Sequence, residues 1–242
     1  MIYMIIMISR SFLLLIVNFI GWTPSADGLT TSSTQPIGLV RKDCPANSDT
    51  RLSIPLEREA EYAGILIGVA ANVLTFQGTP GWTANQFEFA AGIQDERYFI
   101  VFLTGTHVGR SYDVIANGVN SITIDRGVDD LTGIEAGDGV KLLPHWTLDS
   151  AFPNGRGVTA SSIFRQETGL LVQDGTTAGI NLAPVRTYFF TNSWKDFNFV
   201  NDDAGPTVIR PHQPLLVRNR DSGTSAIFVG VVPVVFGMVA AG

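Results

Sequence analysis

A single cysteine, Cys44, in 242 residues rules out an intrachain disulfide, so the fold must be held by burial. Histidine is almost as scarce. His107, His145 and His212 are the three in the chain, and the sequence contains no Gly-x-Ser-x-Gly elbow. Nucleophilic hydrolysis needs a serine or cysteine beside a histidine that a carboxylate orients. No such grouping is visible, and no enzyme is expected. Scattered histidines and one cysteine also give zinc no ligand set, and no cofactor is expected. Basic residues are outnumbered, 16 Lys plus Arg against 22 Asp plus Glu, with no basic stripe. Repulsion from phosphates therefore excludes nucleic acid as a partner. Helical periodicity is nearly absent. The best candidates are Glu57–Tyr62 and a single turn over Thr147–Phe152, capped by Thr147 ahead of Pro153.

What is present begins with an apolar run, Ser11 to Ile20, behind a lone Arg10 and ahead of Gly21, Pro24, Ser25 and Ala26. This pattern predicts a secretory signal peptide over residues 1–26. Arg10 amid the apolar start would cost about 2.5–3.5 kcal/mol in a bilayer centre, which argues against a membrane span. The expected mature protein is secreted, extracellular or at the cell surface, with no membrane attachment after leader removal. It keeps 15 basic against 22 acidic residues. Residues 27–35, rich in Ser and Thr, have nothing to bury and predict a flexible arm.

From Pro36 onward, short runs of Val, Ile, Thr, Phe and Tyr alternate with Gly, Asn, Asp and Pro. Strands are predicted at Leu52–Leu56, Gly64–Ala70, Val73–Phe76, Arg97–Leu103, Ser111–Ala116, Ser121–Asp125 and Gly139–Leu143. Later ones follow at Thr168–Gln173, Thr187–Thr191, Trp194–Phe197, Pro214–Asn219 and Thr224–Val232. This is the spacing of a sandwich or barrel. Asn192-Ser193 reads as a two-residue hairpin turn into Trp194. An internal echo links Val69–Phe76 with Ile115–Ile124, each a strand, an Asn-bearing turn and a strand. Two such halves can close a small barrel. The predicted fold is therefore all-β: a β-sandwich host from 36–63 plus 147–242, with an inserted β-barrel module over 64–146. Chance similarity of two hairpins in one continuous sandwich is the competing reading.

Several phrases occur together: Gly81–Phe87, Asp129–Ile134, Ala136-Gly137-Asp138, Pro144–Leu148, Gly179–Leu182 and Leu216–Asn219. As a set they resemble an uncharacterised family of secreted β-rich proteins found chiefly in Verrucomicrobia-type bacteria. The resemblance implies secretion and a β fold; it assigns no activity and no site.

Three candidate sites remain. Asp125, Asp129, Asp130 and Asp138 are close in sequence and offer hard oxygens to calcium, but their spacing matches no defined calcium loop, and turn chemistry is the competing reading. Trp82, Trp146 and Trp194 can present flat faces to sugar rings, or fill sheet interfaces instead. The third is the strand Pro36, Ile37, Gly38, Leu39, Val40 and Arg41 on its Ser/Thr-rich tether, matched by an uncharged run over 226–242. A tethered apolar strand can add to a neighbour's sheet edge, head to tail, and such addition builds filaments. It can equally be the first strand of its own sandwich. Cys44 suits either an interchain bond or a buried inert thiol. These features point to a non-catalytic extracellular structural protein, a filament or surface-matrix subunit that assembles with itself by β-strand exchange through Pro36–Arg41. The second reading is a carbohydrate-binding or adhesin module with polysaccharide as partner.

Overall fold

The computed structural model describes residues 35–173 and 183–233. The predicted leader, nearly all of the arm, Gly179–Leu182 and the last residues of the uncharged run lie outside the described residues. The chain is all-β, as its strand spacing predicts, and its strands form a closed barrel and a set of open sheets.

The barrel comprises β3 (Tyr62–Ala70), β4 (Val73–Phe76), β5 (Tyr98–Phe102), β6 (Ser111–Asn117), β7 (Ser121–Asp125) and β8 (Gly139–Pro144), hydrogen-bonded in the order β3-β4-β7-β6-β5-β8. Period-two burial decides which residues point inward. Leu74 and Phe76 of β4, and Ile122 and Ile124 of β7, fill the interior between half-buried neighbours. β5 and β8 are buried on both faces, which accounts for the unbroken apolar run Tyr98-Phe99-Ile100-Val101-Phe102. Tyr62, Phe76, Trp82, Phe87 and Tyr98 continue the core as a chain of edge-to-face rings 4.9–5.5 Å apart.

The two echoing segments are neighbours. β4 and β7 pair antiparallel as Val73↔Thr123, Leu74↔Ile122 and Thr75↔Ser121. Leu74 and Ile122 are the equivalent residues of the two hairpins and face each other. The amide of Phe76 donates to the Asn120 carbonyl and that of Ile124 to the Asn72 carbonyl, both at 2.9 Å. Register shifts fall between Leu66 and Gly68 in one hairpin and between Val114 and Ala116 in the other, 48 positions on. The barrel is thus a strand-strand-loop-strand unit used twice about a local two-fold axis.

The host is built from flanking chain. β1 (Ile37–Cys44) pairs antiparallel with β15 (Thr224–Val231) over eight residues as a two-stranded ribbon. β2 (Ser48–Leu52), β10 (Thr168–Val172), β11 (Arg186–Phe190), β12 (Trp194–Asp196) and β14 (Leu215–Asn219) form a sheet in the order β12-β11-β10-β14-β2. β9 (Trp146–Thr147) and β13 (Val208–Ile209) make a short pair. Cys44, Ala226 and Phe228 of the ribbon share one core with Leu170, Tyr188, Trp194, Leu215 and Val217 of the sheet.

Local expectations changed in places. β2 runs over Ser48–Leu52 rather than Leu52–Leu56, where Ile54 and Leu56 are instead buried in an extended connection. No helix forms over Glu57–Tyr62, because the Glu57 amide pairs with Val231 and the Glu61 amide with Leu142. The helical turn α1 (Leu148–Ala151) does form, and the Thr147 hydroxyl accepts from the Ser150 amide at 3.2 Å. The β11–β12 loop has three residues, Thr191–Ser193, since the last pair is Phe190↔Trp194.

Candidate functional site

The barrel meets the host along the outer faces of β5 and β8, and this seam is polar. Lys141 on β8, buried, is paired with Glu57 of the connection. Arg58 grips both carboxylate oxygens of Glu96 and donates to the His145 carbonyl at 3.0 Å. The Trp146 indole donates to the Leu56 carbonyl at 2.8 Å. Asp113 on β6 receives both arms of Arg210, at 3.1 and 2.6 Å, and bonds His145 Nε2 at 3.0 Å. The His145 ring is buried and stacks on Phe99 with centroids 4.4 Å apart. These ties join residues up to 97 positions apart, so nothing in the local sequence announces them.

Burial acts most strongly on Asp113 and opposes its ionisation. Hydrogen bonds from His145 and Arg210, with the charge of Arg210, outweigh it and hold the carboxyl below its ordinary range. A cleft of about 600 Å³ opens here, lined in part by Phe89, Arg97, Tyr98, Asp113, Asp203 and Arg210. The Arg97 guanidinium lies over the Phe89 ring, 3.6 Å from its centroid. Asp113 and His145 form the base-orienting half of a hydrolytic triad, but His145 Nδ1 meets no hydrogen-bond partner among the described residues.

The calcium candidates do not converge. Asp125 accepts from the Gly127 amide, Asp130 from the amide and hydroxyl of Thr132, and Asp129 from Tyr112 and Arg110. Asp138 is buried and accepts from the Glu135 amide. It lies so close to Gly105 that a Cβ there would sit 2.1 Å from its Oδ1, and Gly105 has φ +80°. Asp125, Asp130 and Asp138 each stabilise their own turn, Asp129 instead ties its loop to Arg110 and Tyr112, and among the described residues no cluster of three or more His, Cys, Asp or Glu can hold a metal ion. The sugar-platform reading is corrected likewise. Trp82 belongs to the barrel core, Trp194 to the host core, and Trp146 is half-buried at the seam, so the three share no face. Cys44 is buried in the host core, where desolvation pushes its thiol pKa up. His107 is buried too, bonded to the Thr106 hydroxyl and the Asp130 carbonyl.

The predicted assembly strand occupies β1, paired throughout with β15 of its own chain. Val40 and Phe228 point toward the host core, and Ile37, Leu39, Ile227 and Val229 stand on the outer face, exposed by 75, 68, 42 and 55%. Among the described residues β1 has no strand on its other side. No family model, no curated protein and no solved structure matches the chain.

Proposed function

We propose that this is a non-catalytic extracellular structural protein whose copies associate through the terminal ribbon to build a filament or surface matrix. The observation that carries the reading is the ribbon itself: an eight-residue edge with no further strand among the described residues, beside an outer face bearing Ile37, Leu39, Ile227 and Val229. Contiguous exposed apolar groups mark interaction surfaces, and an unpaired edge supplies main-chain donors and acceptors for another strand. Because Pro36–Arg41 already has its strand partner at home, addition at the open edge accounts for association more simply than exchange of a free strand. The secreted location belongs to the same proposal and rests on the leader-like segment Ser11–Ala26.

Electron microscopy and sedimentation of the leaderless chain at high concentration test this directly. Regular fibres or sheets are expected, and Leu39→Lys, which alters an exposed side chain, should leave dispersed monomers. Assembly that survives Leu39→Lys paired with Val229→Lys would sink the ribbon as the contact.

A further inference from the structure

A second concavity along the seam differs in character from the polar cleft. It is a groove of about 200 Å³ with Phe99 and Val101 on the barrel side, Ile54, Trp146 and Ile209 on the host side, and Pro233 in its lining. Three charged residues also border it, Glu57, Arg58 and Arg210. Each is already engaged, with Lys141, Glu96 and Asp113 respectively. The groove therefore offers an occupant mainly apolar walls, with Ser111 and His212 as its other polar side chains, and its Glu and Arg charges are paired elsewhere. Its position is set by a close approach of ribbon and connection: a Cβ on Gly230 would come 2.5 Å from the Glu57 carbonyl oxygen and 3.2 Å from the Trp146 ring.

Pro233 is the last described residue after β15, and the nine residues that follow it read Val-Val-Phe-Gly-Met-Val-Ala-Ala-Gly. They carry neither charge nor side-chain hydrogen-bonding group. They follow Pro233, which lines the groove, and three residues of extended chain span about 10 Å, which puts the groove within the reach of Phe236. We propose that the groove is the docking site of this chain's own segment 234–242, with Phe236 as its anchor. Chemistry and tether both support this occupant. An uncharged apolar segment matches a groove whose charges are paired elsewhere, and a short tether gives it an effective concentration on the order of millimolar, ahead of the same segment from a second copy. The proposal is independent of how copies assemble.

The test compares three leaderless chains: one running to Gly242, one ending at Pro233, and one running to Gly242 with Phe236→Asp. Anilinonaphthalene sulfonate fluorescence and acrylamide quenching of tryptophan are the readouts, with mass by sedimentation at a concentration below any assembly. Truncation and Phe236→Asp should each raise dye fluorescence several-fold and make Trp146 more quenchable, at unchanged mass. Trp146→Phe in the truncated chain should remove the added quenching. A synthetic peptide of residues 234–242 should reverse both signals, which separates an emptied groove from a misfolded chain. Equal dye binding and quenching in all three chains overturns the proposal. So does an oligomer that falls apart on truncation, because the occupant would then come from a second copy.

Discussion

The barrel and the host are made from the same kinds of strand, yet they treat their edges in opposite ways. Every barrel strand has two neighbours, and the six close on themselves. Among the described residues the host leaves β1, β2, β9, β12, β13 and β15 each with one strand partner, and β1 and β15, at eight residues, are the longest of these. Closure removes the template for further pairing, whereas an open edge keeps it. Association through strands of the kind proposed would therefore fall on the host, where the open edges are. The seam holds the two together with charge rather than with apolar surface alone.

The largest effect should come from emptying either core. Phe76→Ala in the barrel and Trp194→Ala in the host should each cost about 3–5 kcal/mol. Urea unfolding followed by far-UV circular dichroism and by tryptophan emission should give one coincident transition in both variants if the seam couples the regions. Two separated transitions would show that barrel and host unfold apart. Next comes the seam. Lys141→Ala leaves Glu57 unpaired in a largely buried setting and should cost about 3 kcal/mol. Replacing both partners together, by Lys141→Met and Glu57→Leu, should recover most of that loss, and failure to recover would assign the cost to packing.

A smaller effect is pH-dependent. Asp113 has its carboxyl held below the ordinary value of 3.8, so the stability it adds is fully present above that value and is lost as pH falls through the depressed one. Asp113→Asn should therefore be less stable than the parent at neutral pH, with the difference closing under acid. A difference that persists unchanged into strong acid would place the effect outside the carboxylate. Smallest of all, Leu39→Lys should move folding stability by no more than about 0.5 kcal/mol, since its side chain is exposed, even where it abolishes assembly.

The barrel was legible because its cause is local. Alternation around Leu74 and Ile122 and the repeated Asn-bearing turn are short-range signals, and they survive as two hairpins pairing with each other. The host was harder. Ile54 and Leu56 look like strand residues, but apolar character reports burial rather than pairing, and the ladder falls on Ser48–Leu52, opposite β14. The tryptophans left two readings open for a related reason: Trp82 and Trp194 are large enough to serve as sugar platforms and equally suited to fill a core, and tertiary packing decides for the core. Asp113, His145 and Arg210 come from three distant segments and have no shared motif. Their meeting depends on how the barrel docks, which composition and spacing do not encode.

The local two-fold of the barrel bears on how the protein responds to dilution. Two hairpins facing each other through equivalent residues have the geometry of an isologous dimer, but here both partners belong to one chain. Their encounter is a loop closure within a single molecule, so its equilibrium does not depend on protein concentration. Contacts between copies of the kind proposed for the ribbon would carry no such tether and would weaken as the protein is diluted. A fibre of this protein would then dissolve on dilution into units whose barrels remain shut.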